Sequence, residues 1–392
     1  MSDIDVVVIG AGIHGAGVAQ AASAAGYSVL VLEKNDIAAG TSSKSSKLIH
    51  GGLRYLESSQ FSLVRKSLKE RAVLCRIAPN LVKLRPFYIP IYKNTTRRPW
   101  QIRLGLTLYA ILGGLRKENL FKVISRKKVS RMDELEQAKL QKVYKYNDGQ
   151  TNDVSLTKAV MESAKSLGVN VLCSARVVSI IKNNSGFNVV YKYGENEINV
   201  QTKIIINASG PWVNEVQKLI KPKEESGIVK TLDVDLVQGT HIIIDADEPS
   251  GIYYLEAADK RAVFVMPYEF NGKLKTMIGT TEKLFKGNAD DVKPTDEEVE
   301  YLLNVYKSYF PKEKNIKVIN QFAGLRVLPK NDGSMFSRPR DTVLHWAVPG
   351  FLTLYGGKLT AYRSTSELVV DKIKPHLGKK QRIAHTDQLY LT

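Results

Sequence analysis

Two stretches near the start of the chain hold residues whose types and spacing can do chemistry. The first is Gly10-Ala11-Gly12-Ile13-His14-Gly15, with Glu33 placed 18 residues after the last glycine. Gly10 suits a tight turn, Gly12 lets the main chain approach a pyrophosphate, and Gly15 lets a following helix lie against a strand. A helix opening at this turn would point free N–H groups and partial positive charge at phosphates. Glu33 can accept hydrogen bonds from ribose hydroxyls. The second stretch, residues 40–55, is dense in hydroxyls, glycines and cations and ends in His50-Gly51-Gly52-Leu53-Arg54-Tyr55. Thr41, Ser42 and Ser43 can bind phosphate oxygens, and the Gly51-Gly52 pair lets a flat ring approach the chain. Together they describe a site for a dinucleotide, and at this point both NAD and FAD fit it.

The elements that must position these residues follow from hydropathy. Ile4–Ile9 predicts a buried parallel strand, residues 16–25 a small-residue helix ended by Gly26, and residues 28–32 a second strand. Further on, residues 148–153 suggest a turn, 155–168 a helix and 170–173 a strand. Residues 175–182, 187–193 and 198–201 suggest a small antiparallel set, followed by a separate buried strand at 204–206. Alternating β patterns at Val234–Ile244, 261–267 and 275–281 predict the sheet of a second domain. An amphipathic helix with acidic residues in its first turn is expected over 295–310, then a buried strand at Phe351–Tyr355 and a helix to about 373. Leu104, Leu108, Ile111, Leu112 and Leu115 fit one helical face in residues 97–115, which suggests packing against a core or between domains, with an interfacial membrane helix as the sharper alternative.

The bulk composition sets outer limits. A chain of 392 residues favours two domains, and no apolar run is long enough for a membrane-spanning helix. The chain enters its first strand directly, so no signal peptide is expected. Cys75 and Cys173 lie far apart and suggest inert thiols in a reducing cytoplasm. The 57 Lys and Arg against 39 Asp and Glu give a net charge of +18. That field attracts anions: a phosphorylated substrate or an acidic membrane surface, with nucleic acid excluded because no binding module accompanies the charge. Nothing suggests a metal site.

Residues 6–33 and 41–56 resemble the FAD-dependent glycerol-3-phosphate dehydrogenases, within the D-amino-acid-oxidase-like flavoproteins. The run Ser45-Ser46-Lys47-Leu48-Ile49-His50-Gly51-Gly52-Leu53-Arg54-Tyr55-Leu56 is especially specific to them. Later segments match in order: Asn207-Ala208-Ser209-Gly210-Pro211-Trp212, where the family normally has Thr for Ser209; Gln238-Gly239-Thr240-His241; and Ile278-Gly279-Thr280-Thr281-Glu282, where it commonly ends in Asp. Gly324-Leu325-Arg326-Val327-Leu328 follows, with Val327 in place of Pro, and then Gly356-Gly357-Lys358-Leu359-Thr360. The resemblance implies FAD rather than NAD. It also implies an α/β fold with a Rossmann-type FAD-binding domain (residues 1–90, 151–225 and 320–392). A substrate domain with a mostly antiparallel sheet would occupy residues 91–150 and 226–319. Members usually continue into a C-terminal helical domain, expected to be absent here.

The resemblance adds Lys47, Leu48, Val177, Gly210, Trp212, Gly357, Lys358, Leu359 and Thr360 to the expected cofactor residues. Arg54, Arg326 and, less directly, Arg340 would bind a substrate phosphate, because the planar guanidinium matches phosphate oxygens. Tyr55 and Thr280 would assist, and Lys358 would serve the phosphate or the reduced flavin. The expected reaction is oxidation of sn-glycerol 3-phosphate to dihydroxyacetone phosphate, with hydride passing to flavin N5 and the hydroxyl proton to a base. His50 and His241 are both candidates for that base. Electrons would leave to a quinone or another acceptor, from a cytoplasmic protein held peripherally on the inner membrane face. A related flavoenzyme acting on an amine or 2-hydroxy acid, and a non-catalytic FAD-binding remnant, remain as alternatives.

Overall fold

The computed structural model describes residues 4–132, 135–221, 229–313, 315–330 and 341–392. Its first sheet is built on five parallel strands side by side: Asn170–Leu172, Val29–Leu32, Ile4–Ile9, the end of Asn196–Asn207, and Phe351–Tyr355. Val29–Leu32 and Phe351–Tyr355 are buried throughout, as a sheet covered on both faces requires. The helices Ile13–Ala24, Asp153–Ser166 and Tyr362–Leu377 pack on one face. The first of them opens three residues earlier than its alanine run suggests and is buried almost all round. At Gly17 a Cβ would fall 2.5 Å from Ser366 Oγ and 2.7 Å from the Tyr362 ring, so its small residues are what let the helices close up.

The antiparallel set forms as predicted over Ala175–Asn183 and Gly186–Tyr193, but its third strand and the buried strand after it are one element, Asn196–Asn207. The strand changes partner without a turn: Thr202 pairs with Phe187 in the antiparallel set and also with Ile4 in the parallel set. The polar residues 201–203 read as a break because they mark this change.

The second sheet is mixed, almost wholly antiparallel, with one parallel contact between Ile252–Glu256 and Val82–Tyr92. Val234–Ile244 pairs with Val318–Pro329, and Val82–Tyr92 pairs along its length with Leu140–Thr151. The turn expected at 148–153 is therefore corrected. Residues 148–151 continue this strand, and the helix begins at Asp153 with Asn152 as its cap. Asn147-Asp148-Gly149 carries turn chemistry in sequence, yet Asp148 is buried against Arg71 of the helix Phe61–Ile77.

The helix Pro99–Leu112 also corrects an expectation. Ile102, Leu106, Tyr109 and Ala110 face the interior, while Leu104 and Ile111, and Leu115 beyond its end, are exposed. The expected apolar stripe is largely its outer side. Thr295 and Glu298 form a reciprocal cap at the start of Asp296–Tyr309, as the acidic first turn indicated. Among the described residues no helix is long and apolar enough to cross a membrane.

Two connections bring the sheets together. Leu48–Ile49 pairs with Leu140–Thr151 of the second sheet and delivers His50-Gly51-Gly52 to the junction. Val318–Pro329 returns from the second sheet toward Phe351–Tyr355 of the first. Between them, outside the carboxyl ends of the parallel strands, lies the space in which such a fold binds its ligand.

Candidate active site

A cavity of about 970 Å³ runs along this junction, large enough for a ligand near the top of the usual ~300–1,000 Å³ range. One end is made by the glycine turn. Gly10 has φ +103°, and a Cβ there would fall 2.8 Å from the Ala208 carbonyl oxygen; one at Gly15 would fall 1.9 Å from the Gly10 oxygen. Gly15 thus lies behind the cavity and shapes the turn, while Gly10 and Gly12 line it. The helix Ile13–Ala24 has no acidic residue in its first turn, which leaves its N-terminal field available to an anion. Ser42 Oγ accepts from the Ile13 N–H at 2.9 Å, and Thr41 donates to the Leu325 carbonyl at 2.9 Å. The first holds the polar loop to the turn and the second holds it to the strand Val318–Pro329.

Glu33 accepts from the Ala11 N–H at 2.7 Å and the Asn35 N–H at 2.8 Å, so its carboxylate is fixed in place. Each oxygen has further acceptor capacity for a hydroxyl. Val177, Gly210 and Trp212 line the same end. The Lys34 ammonium lies 3.8 Å from the Trp212 ring centre, and the indole N–H is buried with no hydrogen-bond partner among the described residues. His14 is in the same position with both ring nitrogens, and burial lowers its pKa to about 4. It lies against Gly357, where a Cβ would fall 2.1 Å from His14 Nε2. A glycine cradle beside buried, unpartnered donors and acceptors suits a ligand rich in phosphates and hydroxyls.

The other end is made of side chains drawn from both sheets. Arg54 comes from the short turn Leu53–Leu56 and Arg326 from Val318–Pro329. Glu282 Oε1 holds both, at 3.6 Å from Arg54 Nη2 and 3.1 Å from Arg326 Nη1. Arg326 Nη2 also donates to Thr280 Oγ1 at 3.3 Å. Gly239 makes room beneath them, since a Cβ there would fall 2.6 Å from Thr280 Oγ1 and 2.9 Å from Arg326 Nη2. The Lys358 ammonium lies 3.8 Å from the centre of the Tyr55 ring, a cation held on an aromatic face.

His241 is buried, stacked on Phe322 at 5.0 Å, with Nε2 3.0 Å from Ser46 Oγ. Burial first, then the positive charges of Arg326 and Lys47, hold its pKa well below the ordinary histidine value. It is therefore neutral near pH 7, with a lone pair on one ring nitrogen. His50 lines the cavity too, and its main chain is tied to Thr360: the His50 N–H donates to Thr360 Oγ1 at 3.1 Å. Leu48, Gly52, Gly357, Leu359 and Thr360 also line it.

Besides Gly15, three expected cofactor residues stand off the cavity lining. The Lys47 ammonium is buried, 2.6 Å from Asp153 Oδ1 and 2.6 Å from the Ser43 carbonyl oxygen, and does not reach the cavity. Its partner comes from a helix more than a hundred residues away, so sequence offered only a cation next to the loop. Ser43 turns its hydroxyl to the Gly40 carbonyl at 3.0 Å. Gly51 stands behind the lining, against Tyr109 and Leu68. Arg340 lies outside the described residues. Conversely, His14 and Glu282 line the cavity without having been expected there. The only signals in sequence were that His14 is a polar residue inside the glycine motif and that Glu282 is the point where its motif departs from the usual Asp.

Residues 5–363 match the family described as FAD dependent oxidoreductase. A D-erythritol 1-phosphate dehydrogenase of Brucella abortus is 34% identical over 386 residues, covering 95% of this chain and 75% of the relative. A glycerol-3-phosphate dehydrogenase of Synechocystis is 35% identical over 399 residues, covering 97% and 71%. The FAD-complexed glycerol-3-phosphate dehydrogenase structure from Bacillus halodurans superposes with a TM-score of 0.77 at 26% identity, over all of this chain and 68% of that one.

Proposed function

Because the chain belongs to the FAD-dependent oxidoreductases, we propose that it oxidises the secondary alcohol of a small phosphorylated polyol, sn-glycerol 3-phosphate first, to the ketone. The observation that carries this reading is that Glu282 holds Arg54 and Arg326 side by side, in one continuous cavity with the glycine turn.

The glycine cradle, Glu33 and the buried nitrogens of His14 and Trp212 fit FAD. Gly10, Gly12 and the first turn of the Ile13–Ala24 helix would hold its pyrophosphate, and Glu33 its ribose. Gly52 and the 356–360 segment would approach the ring. When bound, FAD supplies the acceptor for the hydride that leaves the carbinol carbon.

The protein's own residues do the rest. The guanidinium forks of Arg54 and Arg326 take the phosphate oxygens, and Glu282 keeps both forks aimed at one place. Lys358 adds positive charge beside them. Thr280 and Tyr55 offer hydroxyls. The neutral imidazole of His241 accepts the hydroxyl proton as the carbon loses hydride, and passes it on to solvent; His50 is the second candidate for this step. Two electrons and one hydrogen leave as hydride, one proton leaves to the base, and sn-glycerol 3-phosphate becomes dihydroxyacetone phosphate.

The electrons then pass to a quinone at an anionic membrane surface. Trp100, Leu104, Ile111 and Leu115 are 65%, 62%, 53% and 61% exposed, and Arg98, Arg103, Arg116, Lys117 and Lys122, on the same helix or in the segments flanking it, are exposed too. Apolar side chains flanked by cations suit the headgroup region of a membrane carrying negative charge, which would hold the protein peripherally on the inner face.

Anaerobic titration of the FAD-loaded protein tests the reaction. Bleaching of the visible flavin band by sn-glycerol 3-phosphate is the expected result. Bleaching by D-erythritol 1-phosphate alone would move the substrate to the longer polyol, the compound named for the Brucella relative. Bleaching by neither would overturn the proposal.

A further inference from the structure

A buried hydrogen-bonded chain outside the cavity joins the cavity-facing loop to the exposed helix Pro99–Leu112. The Gly51 N–H donates to the Tyr109 hydroxyl at 2.8 Å, and that hydroxyl donates to Asp148 Oδ2 at 2.5 Å. Asp148 Oδ1 accepts from Arg71 Nη1 at 2.6 Å, and Arg71 also donates to the Asn147 carbonyl at 3.1 Å. The other end of the Arg71 guanidinium donates to Asn119, whose amide donates to the Gly113 carbonyl just past the helix. Tyr109, Asp148 and Arg71 are at most 2% exposed.

The direction of each bond is fixed by chemistry. Burial, and then the charge of Asp148, raise the Tyr109 pKa well above its ordinary value, so the phenol keeps its proton. Its single O–H faces a carboxylate, which leaves its lone pairs for the Gly51 N–H. Glycine is required there: a Cβ at Gly51 would fall 2.5 Å from the Tyr109 oxygen and 2.7 Å from Leu68 Cδ2. The neighbours His50, Gly52, Leu53 and Arg54 all line the cavity.

Tyr109 lies on the inner side of its helix. Trp100, Leu104 and Ile111 stand roughly 140–200° around the axis from it, at about 100° per residue. The helix packs on the Leu53–Leu56 turn as well, but the Tyr109 hydroxyl is its hydrogen bond to the main chain at Gly51.

We infer that Tyr109 is a positioning residue that couples occupancy of the exposed helix face to the geometry of the His50–Arg54 loop. This rests on the reading of that face as a docking surface for anionic membranes. Docking then tunes the environment of the flavin ring and the placement of Arg54, so that turnover is fastest where the electron acceptor resides.

The test uses holoprotein, Tyr109→Phe holoprotein, and Trp100→Asp/Leu104→Asp holoprotein, each with and without phosphatidylglycerol vesicles at low salt. Vesicles are expected to shift the visible flavin spectrum of the wild type. Tyr109→Phe should bind the same vesicles without that shift, and should differ from wild type in its vesicle-free spectrum, with kcat lowered roughly five- to a hundredfold at little-changed KM. The surface variant should keep the wild-type vesicle-free spectrum and lose the shift. A vesicle-induced shift that survives in Tyr109→Phe would overturn the coupling. So would a shift that survives in the surface variant, which keeps the inference testable if Tyr109→Phe fails to fold. Wild-type protein that binds no vesicles would sink the docking reading instead. In that case the vesicle-free comparison still decides the positioning role, and a Tyr109→Phe protein with wild-type spectrum and kcat would end it.

Discussion

The two ends of the cavity are built on different principles. The nucleotide end is made of absences: glycines without Cβ atoms, a helix start without acidic residues, polar atoms without protein partners. Its glycine turn, helix start and Glu33 come from contiguous chain between Ile4 and Ser42, with Val177, Gly210, Trp212 and Gly357 added from elsewhere. The substrate end is made of presences: Arg54, Thr280, Glu282, Arg326 and Lys358 come from four separate segments, the first four linked to one another and Lys358 held on the Tyr55 ring. On the proposed reading the first end would hold the FAD. The second would decide what the flavin meets, and because it is built from long side chains it could change without disturbing the first.

That independence can be broken by substitution, and the largest effect is expected at the nucleotide end. Gly15→Ala puts a methyl 1.9 Å from the Gly10 oxygen, which forces the main chain of the turn to move. A colourless protein that takes up no FAD is the expected outcome, read from its visible absorbance. Arg326→Ala should do the reverse. It keeps its FAD, while KM for the phosphorylated substrate rises roughly 10- to 150-fold, the loss of one charge-assisted hydrogen-bonding partner. An Arg326→Ala protein that loses FAD would show that the two ends are not separable.

A smaller effect separates the ends by pH. His14 in the folded, FAD-free chain has a pKa near 4, against 6.5 for an ordinary histidine, because burial penalises its charge. Between these values the unfolded chain binds the extra proton, so stability rises with pH through the window and falls as pH drops from 6.5 toward 4. The full difference is about 3 kcal/mol. His14→Asn should flatten the pH dependence of Tm over that range, and the same slope in both proteins would remove His14 as its source.

How much was legible in sequence follows the same division. Strand, glycine turn, helix and Glu33 are local features, and the structure places Ile4–Ile9 and the turn where periodicity put them. The elements misread are those whose neighbours are distant. Asp148 carries turn chemistry by itself, and becomes strand because Val82–Tyr92 pairs with it and Arg71 neutralises it. Lys47 resembles a phosphate ligand until Asp153 captures it in the interior. The apolar positions of Pro99–Leu112 satisfy a helical stripe on either side, and only the packing of Ile102, Leu106 and Tyr109 selects which side is buried. Glu282 had no meaning until the fold set two arginines beside it.

The central claim is that the substrate end recognises a phosphate on an alcohol. Anaerobic mixing of the FAD-loaded protein with sn-glycerol 3-phosphate or with glycerol, at equal concentration, tests it most directly. Rapid bleaching by the phosphorylated alcohol, with little or none by glycerol, is the expected result. Equal bleaching by the two would contradict it, because Arg54 and Arg326 would then have no part in choosing the substrate.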